Sequence, residues 1–152
     1  MVKVLVAASI VWPLLLAGTT AARVNHTGGV GAAVVYAIGS RICHQRPERS
    51  FHTDGVKWPV CGRCAGLYFG APAGAIAAVI ALRRRLRERT RWWLAIAAVP
   101  TALTLAIEWS GAAPVTNAMR AASALPLGAT IAWVLVRAAA GRFESMEYTD
   151  VA

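Results

Sequence analysis

The sequence predicts an all-α, polytopic transmembrane helical bundle of about four spans with one additional short helix. Three observations carry that reading. Apolar residues make up 57% of the 152 positions and mean hydropathy is +0.52, above the roughly 45–50% apolar usage of ordinary soluble domains. Four apolar runs approach the roughly 20 residues that cross a bilayer as a helix. Six of the sixteen Lys and Arg residues crowd into "RRRLRERTR", Arg83 to Arg91, a short linker between two of those runs.

The first run, Val2 to about Ala22, opens with Lys3 ahead of its apolar stretch and ends in the small residues "AGTTAA". It therefore resembles a secretory signal. Its removal would leave only three spans, so an uncleaved anchor is the preferred reading. A short apolar stretch from Gly28 to Ile42 would be about 22 Å long as a helix, too short for an easy crossing. It is expected to lie in the interface or to be re-entrant. Residues 43–64 form a Cys/His loop before the second span, 65–82. Gly66, Gly70 and Gly74 place a small residue at every fourth position of that span, a smooth face that lets another helix approach closely and predicts the central helix of the bundle. The third span, 92–109, carries Trp92, Trp93 and Trp109 at its ends, where indole rings prefer the headgroup layer. The fourth is 121–136. Each span holds one proline, Pro13, Pro72, Pro100 and Pro126, tolerated because neighbouring helices satisfy the freed carbonyl. Residues 1–143 read as a single transmembrane domain, followed by a disordered acidic tail, 144–152.

The formal charge of +9 could suggest nucleic acid, but its placement argues against that partner. Basic and aromatic residues do not interleave as they do in single-strand-binding grooves. The expected partners of the Arg83–Arg91 linker are anionic lipid headgroups. Lys and Arg in short loops mark the cytoplasmic side, so spans two and three meet inside the cell. The loop with the cysteines is then extracytoplasmic, in a chain placed in the plasma membrane. The oligomeric state is left open.

All three cysteines lie within "ICHQRPERSFHTDGVKWPVCGRC". Cys61 and Cys64 are three residues apart at the expected start of a helix, where unpaired amides favour the thiolate that binds metal or attacks disulfides. Cys43 and His44, across a 16-residue loop, complete a Cys₃His set suited to tetrahedral zinc. Adjacent residues seldom both reach one ion, so His52 is a substitute for His44.

The run Cys43-His44-Gln45, Pro47, Arg49-Ser50-Phe51, Gly55, Pro59-Val60-Cys61, Arg63-Cys64, Gly66, Tyr68 and Gly70 resembles the signature of the DUF2085 family of small integral membrane proteins. That family's later pattern, an acidic residue near the end of a proline-bearing helix followed by Asn and Arg three apart, is similar to Glu108, Asn117 and Arg120. The plainer "WSGAAPVT" here stands where the family often has further polar residues. The resemblance runs from about Val35 to Gly128 and names a family without naming a reaction.

The predicted topology puts Glu108 and Arg120 on the same face as the cysteines. Asn117 and Arg120 share one side of a helix. Ionisable groups near apolar spans tend to pair or to line a functional cavity, which makes Glu108, Arg120, Arg49 and Asn117 the catalytic candidates. Two chemistries compete. One is a zinc site, either structural or supporting a membrane-embedded enzyme; the other is thiol–disulfide exchange by Cys61 and Cys64. A purely structural bundle is a third reading, and it leaves the cysteine cluster unexplained.

Overall fold

A computed structural model describes residues 1–81 and 90–141. The apolar runs become α1 (Val2–Val24), α2 (Gly29–Ile42), α3 (Gly62–Ala81), α4 (Thr90–Ser110) and α5 (Asn117–Ala139). All but α2 are long and apolar enough to cross a membrane. The protein is an all-α transmembrane bundle. Its helices continue through Pro13, Pro72, Pro100 and Pro126. The arginines from Arg83 to Arg89 and the acidic tail lie outside the described residues.

The α3–α5 seam is the most extensive contact in the bundle, and glycine is its cause. A Cβ at Gly62 would lie 2.7 Å from the Asn117 carbonyl oxygen, and at Gly66, Gly70 and Gly74 it would overlap the carbonyls of Ala121, Leu125 and Ala129. Both ladders advance by four residues, so the two backbones touch along the whole seam. Gly128 answers from α5, its absent Cβ making room for the Leu67 carbonyl. In lipid, where apolar burial does not drive helices together, such close packing is what holds them. α4 joins through hydroxyls: Thr101 Oγ1 donates to the Ser123 carbonyl at 2.8 Å, and Thr104 Oγ1 meets Ser123 Oγ at 3.1 Å. Its outward residues Ile96, Val99 and Leu103 are exposed to the lipid phase, and Trp92, Trp93 and Trp109 are exposed at its two ends.

Packing also fixes the direction of α1. Val2, Leu5 and Val6 lie against Ala75, Ala78, Ala132 and Val136, near the ends of α3 and α5. Trp12 and Leu16 pack instead with Ala65 and Tyr68 at the start of α3. The N-terminus therefore lies at the same end of the bundle as Ala78 and Val136, the closing turns of α3 and α5. At that end Arg137, 2% exposed, donates from Nη1 to the Ala81 carbonyl at 2.9 Å, closing the last turn of α3.

The segment 43–64, expected as a loop, contains an antiparallel hairpin, β1 (Ser50–Thr53) and β2 (Val56–Cys61). The reason is "TDGV": Asp54 and Gly55 both adopt positive φ, 47° and 78°, the conformation that two-residue hairpin turns require. The register shifts between Ser50 and His52, opposite Pro59, which has no N–H to give the ladder. The Pro59 carbonyl is instead bonded by Gln45 Nε2 at 2.6 Å. That carbonyl also lies 2.5 Å from where a Cβ of Gly39 would stand, so α2 meets the hairpin backbone to backbone. Tyr36 Oη donates to the Lys57 carbonyl. Trp58 touches Phe51 across the strands and Phe69 on α3, which seats the hairpin on the bundle.

Candidate metal centre and arginine cluster

The cysteines come from three elements that meet at one point. Cys43 ends α2 with extended backbone, φ −145° and ψ 137°. Cys61 closes β2, and Cys64 sits in the first turn of α3. Their sulfurs all lie within 4.8 Å of one another. Cys43 is buried and its Sγ accepts the Cys61 backbone N–H at 3.2 Å. A hydrogen bond from the Cys64 side chain outweighs burial and, helped by the Cys64 backbone N–H, Cys43 and the Arg63 backbone N–H, brings the Cys61 thiol down to about 5. The lowered thiol favours the thiolate form, the one that metals bind.

The histidines stand apart. Extended backbone sends successive side chains to opposite sides, and next to buried Cys43 the side chain of His44 is exposed. His52 is exposed on β1. Neither belongs to the group of mutually close ligand atoms, which consists of the three thiols.

A second cluster gathers around Glu108, near the end of α4, whose side chain is 10% exposed. Arg49 Nη2 lies 3.1 Å from Oε1, Arg63 Nη2 3.2 Å from Oε2 and Arg120 Nη2 3.1 Å from Oε1. Arg120 adds Nε at 3.5 Å from Oε2, a two-pronged grip. Asn117 orients this group from the start of α5. Its Oδ1 accepts from Arg120 Nη1 at 2.7 Å, and its Nδ2 donates to the carbonyl of fully buried Ser50 at 2.8 Å, tying β1 to α5. The structure therefore joins Glu108, Arg120, Arg49 and Asn117 and adds Arg63, which sequence reasoning left in the family signature without a role. A lone carboxylate facing several arginines near an apolar span was the available signal.

Comparison with known proteins decides the kinship. The family model described as "Predicted membrane protein (DUF2085)" matches residues 43–134, from the first cysteine into α5. The chain belongs to the DUF2085 family. This DUF2085 chain is 32% identical over 105 residues to uncharacterized protein MJ1492 of Methanocaldococcus jannaschii, covering 67% of the chain and 66% of that protein. It is 57% identical over 30 residues to an uncharacterized protein of Methanothermobacter thermautotrophicus, 20% of this chain and 27% of the other. The match thus spans just under two thirds of the first relative's length and far less of the second's. No solved structure matches. The DUF2085 match takes in every residue of both clusters and begins after α1 and α2.

Proposed function

We propose that this protein holds one zinc ion through Cys43, Cys61 and Cys64, on the extracytoplasmic face of the plasma membrane, and that the ion pins α2 and the hairpin to the start of α3. The observation that carries the reading is the mutual approach of the three sulfurs to within 4.8 Å. Tetrahedral zinc with Zn–S near 2.3 Å sets its ligand sulfurs about 3.8 Å apart, so the site closes on the ion with a contraction of about 1 Å at most. The lowered Cys61 thiol supplies a ready ligand at neutral pH. Thiolates select soft or borderline ions over magnesium and calcium. Solvent takes the fourth position, with His44 as the alternative ligand after a local turn of the backbone. Glu108, Arg49, Arg120 and Asn117 form the electrostatic framework beside the metal. The arginines of the Arg83–Arg91 linker meet anionic headgroups on the cytoplasmic side.

Elemental analysis of the protein purified in detergent tests the reading. One zinc per chain is expected, with three thiols appearing on chelation. Cys64→Ser should lose both metal and stability, because ligand loss removes folding energy. His44→Ala should keep its metal if solvent is the fourth ligand. The depressed Cys61 thiol beside Cys64 also favours a second reading, thiol–disulfide exchange. Metal-free protein carrying a Cys61–Cys64 disulfide in unstressed cells would overturn the zinc reading in favour of exchange.

A further inference from the structure

The charges around Glu108 do not balance. Three guanidinium cations face one carboxylate, a surplus of two positive charges, and among the described residues none of the three arginines has a second carboxylate at ion-pair distance. Among the described residues, none of the three donates to a cysteine sulfur either. The surplus is also enclosed, since the side chains of Arg120 and Arg63 are only 11% and 18% exposed. Uncompensated charge is costly at the edge of an apolar medium. Arg63 carries a further sign of a missing partner: its Nη2 serves Glu108, while its Nε is fully buried with no acceptor. Arg49, 35% exposed, opens the cluster to the outside.

We infer that Arg49, Arg63 and Arg120 form a binding site for a phosphate dianion, presented as a lipid phosphomonoester headgroup or as free phosphate. A phosphomonoester carries about −1.5 to −2 charges and three strong acceptor oxygens near neutral pH, which matches both the surplus and the idle donors. Planar guanidinium forks are suited to phosphate oxygens. Glu108 holds the three forks in place beforehand, and Asn117 sets the angle of Arg120 through its 2.7 Å hydrogen bond. The site stands on side chains of the turn before β1, α3, α4 and α5, and does not rest on the zinc reading.

Thermal unfolding of the full chain in detergent, in sodium phosphate and in sodium chloride at equal ionic strength, tests free phosphate. Retention of phosphatidic acid by protein taken from phosphatidylcholine nanodiscs with and without that lipid, read by native mass spectrometry, tests the headgroup. Wild type and the charge-matched control Arg46→Ala should respond alike to one of the two probes. Arg49→Ala should bind about tenfold more weakly or worse, the loss expected for one charged hydrogen-bonding group. Arg49→Lys keeps the charge without the fork and should fall between them. Glu108→Gln, which raises the surplus to three, should melt early in chloride and recover in the effective anion. A response to phosphate assigns the free ion, and a response to phosphatidic acid alone assigns the lipid. No response of wild type to either probe, or equal responses of Arg49→Ala and Arg46→Ala, overturns the inference.

Discussion

Replacing Gly70 tests the seam on which both clusters depend. An added Cβ there would overlap the Leu125 carbonyl oxygen and lie 3.0 Å from its carbonyl carbon, where ordinary contact begins at 3.4 Å. The nearest neighbours are backbone atoms of Leu125, so no side chain can swing aside to admit it. The helices must part, by on the order of 1 Å, and a gap of that size forfeits about a quarter to a half of each dispersion contact it opens. Gly70→Ala should therefore cost about 1–3 kcal/mol, the usual range for overpacking, and Gly70→Leu more than that. Unfolding in detergent micelles, followed by tryptophan fluorescence, measures the loss. Gly18→Ala on α1 is the control, because a Cβ there meets nothing within 4 Å, and alanine should be neutral or slightly stabilising. If Gly70→Ala matches wild type while Gly18→Ala does the same, the close approach of α3 and α5 is wrong.

Two further outcomes can be checked directly. A cysteine introduced at Thr90, in a chain whose native cysteines are first blocked, should resist a membrane-impermeant thiol reagent in intact cells; labelling there would reverse the proposed sidedness. In demetallated protein, one thiol should alkylate at a rate that falls only as pH drops through about 5, because Cys61 is lowered to that value from 9.0. The sign follows from linkage: a folded value below the unfolded one makes the thiolate's contribution to stability complete above 9.0 and lost as pH falls through about 5. Alkylation by all three thiols with ordinary profiles near 9 would remove the hydrogen bond from Cys64 as a cause.

The helical architecture was legible because bilayer length and apolar composition act on long windows, and small errors at the ends do not matter. The glycine ladder was legible for the same reason: a four-residue spacing repeated from Gly66 to Gly74 survives any uncertainty in the helix start, and Gly62 extends it by one step. The hairpin lies within a segment expected as a loop although Asp54-Gly55 is a strong turn signal, because its strands are only four and six residues long and Pro59 interrupts the second. His44 is a candidate ligand by its position beside Cys43, and the extended backbone of Cys43 separates the two side chains, so ligation there requires a local turn of the backbone that adjacency does not reveal. Glu108, Asn117 and Arg120 could be grouped from topology, since all three fall near helix ends on one face. Arg63 could not be chosen over Arg46 or Arg41, because selecting it requires knowing which side of α3 faces α4.

The four residues Cys61-Gly62-Arg63-Cys64 explain why the two clusters adjoin. At about 100° per residue, successive positions of a helix point in different directions around its axis. Gly62 takes the direction of α5, where its missing Cβ admits Asn117. Arg63 takes that of Glu108 on α4. Cys64 takes that of Cys43 and Cys61, where α2 and β2 end. One helical turn thus meets α5, α4, α2 and β2. A change that moves Cys64, such as gain or loss of a bound ion, turns the same segment of backbone that carries Arg63, so the thiols and the arginines are mechanically one unit even though no hydrogen bond joins their side chains among the described residues. The glycine seam supplies the rigid reference for that unit: with α3 and α5 in backbone contact from Gly62 to Gly74, the turn has no freedom to slide along α5. Asn117 is the point where the seam and the arginine cluster coincide, since its backbone packs on Gly62 while its side chain holds Arg120 and Ser50.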